Sequence, residues 1–241
     1  MSCRIIRTIS SATFAIALCA GSQAFAADPG TDAMQEAYAP YRVALFKTNG
    51  KSQAEAQQAA TQAQRAWNQL MEQFGAKPPA PYDRDPAFAK SLTEVARIYT
   101  KASDEIGANQ LTAAHETLEK ARDIMADMRR RNQVIVYSDH MNAYHAEMER
   151  LLIDGSQALS QPNGMLQVTA MVGALNYLAT KLSTEAPASL RQDEEFRSLL
   201  KAVNKSVSDL QTALFAQDPV AVKDAMRKIK SPYSKLFLNF G

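Results

Sequence analysis

The chain has 241 residues, with 27 Lys and Arg against 25 Asp and Glu, three His and two Cys. Charge this close to balance supplies no basic surface for nucleic acid or an anionic membrane. Both cysteines, Cys3 and Cys19, fall within the first 26 residues, so the remainder can form no disulfide, thiolate nucleophile, iron–sulfur cluster or thiolate metal site.

Residues 1–26 read as a secretory signal: Arg4 and Arg7 at the start, an apolar run from Ile9 to Ala20, and Ala24-Phe25-Ala26 as an A-x-A cleavage site. The run is too short for a permanent membrane anchor. Leu18 stands where a lipoprotein signal wants a small residue, so Cys19 is not read as a lipid site. A periplasmic protein follows as the expectation. Losing Arg4 and Arg7 leaves 25 basic against 25 acidic residues in a mature chain of about 215 residues, enough for one large domain or two small ones.

Ala, Gln, Glu, Lys, Leu and Met dominate the rest, and β-branched runs are confined to Val134-Ile135-Val136, which predicts an all-α fold. A first helix is expected over Asp32–Thr48, with Pro40 near its start or kinking it. Ser52 with Glu55 forms a capping box for a second helix that Gly75 ends, with a seam of Ala63, Trp67, Leu70 and Phe74. Asp85 with Pro86 predicts the start of a third helix, with a seam of Phe88, Leu92, Val95, Tyr99, Ala102 and Ile106. A fourth runs to Arg131 with Ala114, Leu118, Ala121, Met125 and Met128 inward, and Arg129-Arg130-Arg131 as a solvated, dipole-matching last turn. Ser138 or Asp139 is expected to cap a fifth helix to about Leu159. A sixth carries Val168, Met171, Leu175, Leu178 and Leu182. A seventh spans Phe196 to Leu214, and an eighth, capped by Asp218-Pro219, is bent or interrupted at Pro232.

Sliding the chain by 108 positions superposes 12 identities in 57 ungapped positions, among them Asn68 on Asn176, Leu70 on Leu178, Asp85 on Asp193, Phe88 on Phe196 and Val95 on Val203. The expectation is two tandem up-down-up-down four-helix bundles related by internal duplication, over residues 27–133 and 134–241.

The second copy holds no histidine beyond the junction, and His115 falls opposite Lys223. Chemistry built on imidazole therefore belongs to the first unit or to the segment Asp139–Glu149. There Met141, His145 and Met148 follow helical spacing, with Glu149 one turn past His145. An antiparallel fourth helix places Met128 and Met125 level with them, with His140 nearby. Thioethers with imidazole and carboxylate form a soft donor set suited to copper, Cu(I) above all. Methionine at this spacing also serves as ordinary core filler. His115 and Glu119, four apart, are a spacing that can hold zinc, but helix rise puts that pair about 15 Å or more from His145. Tyr38, Tyr41, Tyr137 and Tyr144 gather at the same end and are candidates to orient a histidine.

The helical architecture of each half resembles the periplasmic cytochrome b562 and cytochrome c′ families. The likeness implies a bundle topology, with Met34 where the b-type family places its methionine haem ligand. The matching histidine would be His115, at the other end of the bundle, and the Cys-x-x-Cys-His motif of the c′ family is absent, so haem ligation is not carried over. The expectation is a non-enzymatic periplasmic binding protein taking a copper-type metal ion. The alternative is an interaction or scaffold module for a periplasmic or membrane partner, and a third is a b-type haem protein. No nucleophile has an adjacent base, and no transmembrane segment or nucleic-acid site is expected in the mature chain.

Overall fold

The computed structural model describes residues 28–241; the expected signal sequence lies outside them. The described residues are helical, with no strand among them and no helix long and apolar enough to cross a membrane. α1 (Pro29–Thr48) and α2 (Gln53–Phe74) lead through a 3₁₀ turn at Tyr82–Arg84 to α3 (Phe88–Gly107) and α4 (Leu111–Arg131). α1 packs on α2, α2 on α3, α3 on α4, and α4 returns to α1. Then come α5 (Tyr137–Arg150), a π turn at Leu151–Gly155, α6 (Ser156–Ala158), α7 (Gly164–Thr184), α8 (Ala188–Gln192), α9 (Glu194–Phe215), α10 (Pro219–Lys228) and α11 (Lys230–Phe240). α5 packs on α7, α7 on α9, α9 on α10 and α11, and α11 on α5. α1 also touches α11, and one buried cluster runs from Met34 to Phe237 through both halves.

Caps and breaks explain most boundaries. Asp28 accepts from the Thr31 amide, so α1 starts earlier than the expected Asp32 and carries Pro40 in its interior. Ser52 caps α2 through the Glu55 amide at 3.3 Å. Asp85 Oδ1 accepts from the Ala87 amide at 2.9 Å while Oδ2 takes Arg131 and Asn132, both at 3.0 Å; the helix itself begins at Phe88, not at Pro86 as expected. The eighth expected helix is two pieces, α10 and α11, meeting at Ile229. Pro232 has no N–H to give the Lys228 carbonyl, which removes the ladder bond at that point. Met171 and Leu178, expected on the α7 seam, are only half buried, because Val172 and Ala179 take the inward positions.

The turns α3–α4 and α9–α10 repeat one another bond for bond. Asn109 and Gln217, 108 apart, both have left-handed backbones, at φ 59° and 52°. The Gln110 amide reaches the Glu105 carbonyl, as the Asp218 amide reaches that of Ala213; Asn109 to Ile106 matches Gln217 to Leu214.

The halves meet across α1 and α4 on one side and α5 and α11 on the other. Arg129, expected in a solvated last turn, is 1% exposed. Its Nε lies 3.0 Å from Asp139 Oδ2 and its guanidinium 5.9 Å from the centre of the Tyr38 ring. Asp139 also accepts from the Val136 amide at 3.1 Å, so it holds α5 from its third position while Val136, not Ser138 or Asp139, sits at the cap. Tyr38 donates to Asn142 Oδ1, Arg42 to the Phe237 carbonyl and Tyr233 to the Met141 carbonyl.

Truncating Asp139 to Ala strands a buried guanidinium, and is expected to cost about 3–5 kcal/mol in urea unfolding. Arg129→Met with Asp139→Leu is expected to cost less than the single change, because no charge is then left unpaired.

Candidate functional site

Helical periodicity puts the methionines where the core is. Met125, Met128, Met141 and Met148 are fully buried, in one cluster with Leu118, Tyr144 and Leu151. His145, one turn from both Met141 and Met148 on α5, sits at the rim of that face with its side chain 15% exposed. His140 faces away, into a groove that holds Lys181, Glu185 and Thr31. Glu149 pairs with Lys230 at 2.8 Å. The sequence-derived set is therefore divided, with His140 and Glu149 committed elsewhere.

What the fold does bring to His145 is Glu119. His145 Nε2 lies 3.3 Å from Glu119 Oε1, and His115 Nε2 lies 3.9 Å from the same oxygen. The expected separation of 15 Å or more is wrong. It treats α4 and α5 as a tight hairpin in which His145 is level with Met125. In fact their main packing partners are other helices, α3 and α1 for α4, α7 for α5. The ring of Tyr233 from α11 tilts against His145 with centres 5.6 Å apart. None of the four tyrosines expected to orient a histidine does so: Tyr38 binds Asn142, Tyr41 the Leu118 carbonyl and Tyr137 the Leu182 carbonyl, and Tyr144 stacks on Tyr233.

Hydrogen bonding settles the His115 tautomer. Its Nδ1 is 3.0 Å from the Leu45 carbonyl, which can only accept, so Nδ1 carries the proton and Nε2 keeps its lone pair. The Asn49 side-chain amide at 3.1 Å donates to that lone pair. Burial pulls the His115 pKa below its ordinary value, against the pull of Glu119. The hydrogen bond from His145, aided by Arg122 at 3.3 Å, holds the Glu119 carboxyl down at about 2.

Comparison of the chain with protein-family models, curated proteins and solved structures finds no match. The chemistry must be argued from the geometry alone.

A cavity of about 40 Å³ opens beside the three groups, lined by Asn49, His115, Arg122, His145, Lys230 and Tyr233. That volume admits a water or an ion and is an order of magnitude below the roughly 300–1,000 Å³ of organic-ligand pockets. A larger hollow, about 1260 Å³, is an open groove along α3, α4 and α5 that includes His140, Arg130 and Ile135 but neither His115 nor His145. Its size reflects openness to solvent, and the small cavity is where titratable groups converge. Among the described residues no three His, Cys, Asp or Glu side chains stand in ready metal-holding geometry. One edge, His145 Nε2 to Glu119 Oε1 at 3.3 Å, already fits an ion, and the His115 edge at 3.9 Å must shorten by about half an ångström. A tetrahedral ion with ligands at 2.0–2.1 Å separates donor atoms by about 3.3–3.4 Å.

Both shifts tie stability to pH with one sign. Glu119 has a depressed folded pKa, so its stabilisation is complete above the ordinary carboxyl value and disappears as pH falls toward about 2. His115, also depressed, binds fewer protons when folded than when unfolded, which penalises folding progressively below about pH 6.5. Urea midpoints measured from pH 7 to pH 3 are expected to fall less steeply for Glu119→Gln than for the wild-type chain.

Proposed function

We propose that the chain is an exported, non-catalytic helical protein of two tandem four-helix bundles that binds one borderline divalent transition-metal ion where its halves meet. The duplication is supported by the 108-residue offset of the sequence identities and by the identical bonding of the α3–α4 and α9–α10 turns. The metal reading rests on one observation: Glu119 Oε1 lies 3.3 Å from His145 Nε2 and 3.9 Å from His115 Nε2, and both of these histidines line an ion-sized cavity.

In this reading the ion sits between His145 Nε2 and Glu119 as the His145 ring proton shifts to Nδ1, and takes the lone pair of His115 Nε2 when Asn49 swings aside. The Leu45 carbonyl is already where an outer-shell partner belongs, fixing the His115 ring through Nδ1–H. Two imidazoles and a carboxylate favour zinc or Cu(II) over Cu(I). The copper-type carrier that the sequence suggests is thus retained, with a different ligand set: His145 stays and the thioethers of Met125, Met128, Met141 and Met148 serve the core. Arg122 competes for Glu119, so affinity should be micromolar rather than picomolar.

Calorimetric titration with Zn(II) and Cu(II) is expected to give one site, with affinity falling as pH drops and protons compete for the imidazoles. His145→Ala and Glu119→Gln should each weaken binding at least 10-fold, and Met141→Leu with Met148→Leu should leave it unchanged. Binding lost in the methionine variant and kept in His145→Ala would return the site to the thioethers.

A further inference from the structure

The outer face of α7 differs from the rest of the surface. Leu166, Ala170, Gly173 and Tyr177 fall on one stripe at spacings of four, three and four, and all are exposed, Leu166 by 71% and Tyr177 by 62%. In α2, at the 108-residue offset, the same four places are Gln58, Gln62, Arg65 and Gln69, also exposed. α2 packs between α1 and α3 as α7 packs between α5 and α9, so the two stripes hold equivalent positions. One is dressed for water and the other is stripped of polar groups. Folding does not require the change: a Cβ at Gly173 would meet nothing within 4 Å. In a helix interior glycine costs about 1 kcal/mol relative to alanine, a cost without return in an isolated molecule.

The spacing identifies what covers the stripe. Laid antiparallel on a second α7, with positions summing to 343, Leu166 meets Tyr177 and Ala170 meets Gly173 in both directions. Large meets large at the ends, and small meets small in the middle, where the backbones must approach. The flanking Gln167 and Asn176 also meet, as a polar pair. A two-fold interface demands this self-complementarity, and an unrelated partner does not. Charge agrees. Lys181 is the only charged residue on α7, and it is already tied to Glu185 at 2.7 Å, so two copies approach without burying an unpaired charge.

We propose that the chain forms a two-fold symmetric dimer through antiparallel contact of its α7 helices, centred between Ala170 and Gly173. This assignment is independent of the metal site, which lies at α4, α5 and α11. A single helix pair falls short of the roughly 800 Å² per partner of a standard interface, so the dimer is expected to be weak, with Kd about 10–100 µM.

Sedimentation equilibrium on the mature chain at loadings from about 5 to 500 µM tests it. The wild-type protein should pass from its monomer mass, roughly a tenth below the 26.4 kDa of the full chain, toward twice that mass. Gly173→Arg, which installs the residue found at the matching place in α2, should remain monomeric throughout, with its helical circular dichroism unchanged. Tyr177→Gln should weaken association at least 10-fold, and Gln58→Leu on α2 should not alter it. A wild-type chain that stays monomeric at 500 µM overturns the proposal, as does a dimer that survives Gly173→Arg.

Discussion

The Arg129–Asp139 pair is the contact on which the arrangement of the two halves depends. A guanidinium that leaves water entirely must be matched in charge and geometry, and Asp139 does this from the first turn of α5 while also holding the Val136 amide. One carboxylate thereby joins the end of α4 to the start of α5 and sets the rotation of α5 about its axis. Tyr38 of α1 is held between the same guanidinium and Asn142, so α1 is drawn into the register as well. With α5 fixed this way, Met141 and Met148 turn inward and His145 comes to the rim opposite Glu119.

At that rim the apolar seam between the halves gives way to a cluster of titratable groups. Glu119 carries three cationic or potentially cationic neighbours, His115, His145 and Arg122, and its acidity is the electrostatic consequence. Burial favours neutral His115, while the carbonyl of Leu45 at the end of α1 accepts from its Nδ1–H and orients the ring. Each of these groups comes from a helix whose position is set by packing elsewhere, which is how a site becomes preorganised without dedicated loops.

Much of the fold was legible in the residues because helix ends follow local chemistry. Ser52 and Asp218 cap as their spacing predicts, each through an amide two or three residues on; Asp28 and Asp193 do the same for α1 and α9, where no cap had been expected. The seams of α3 and α4 followed from periodicity alone. Local reasoning failed where a side chain had a distant competitor. Arg129 was taken into the core by Asp139, and Asp85 ties the start of α3 to Arg131 and Asn132 at the end of α4, neither of which spacing can reveal. The site was half legible for the same reason. His145 and Glu119 were both singled out, yet their meeting depends on how α4 lies relative to α5, and a short connection between two helices does not oblige them to pack as nearest neighbours. The groups that sequence reasoning passed over, Leu45, Asn49 and Arg122, act through a carbonyl, an amide and a competing charge and leave no motif.

The most direct measurement of the central claim is anomalous X-ray diffraction from crystals of the chain grown with Zn(II). The account predicts one anomalous peak about 2.0–2.2 Å from both Glu119 Oε1 and His145 Nε2, with His115 Nε2 as a third ligand. A peak among the sulfurs of Met125, Met128, Met141 and Met148, or density in which His145 and Glu119 keep their direct hydrogen bond at saturating metal, would contradict it.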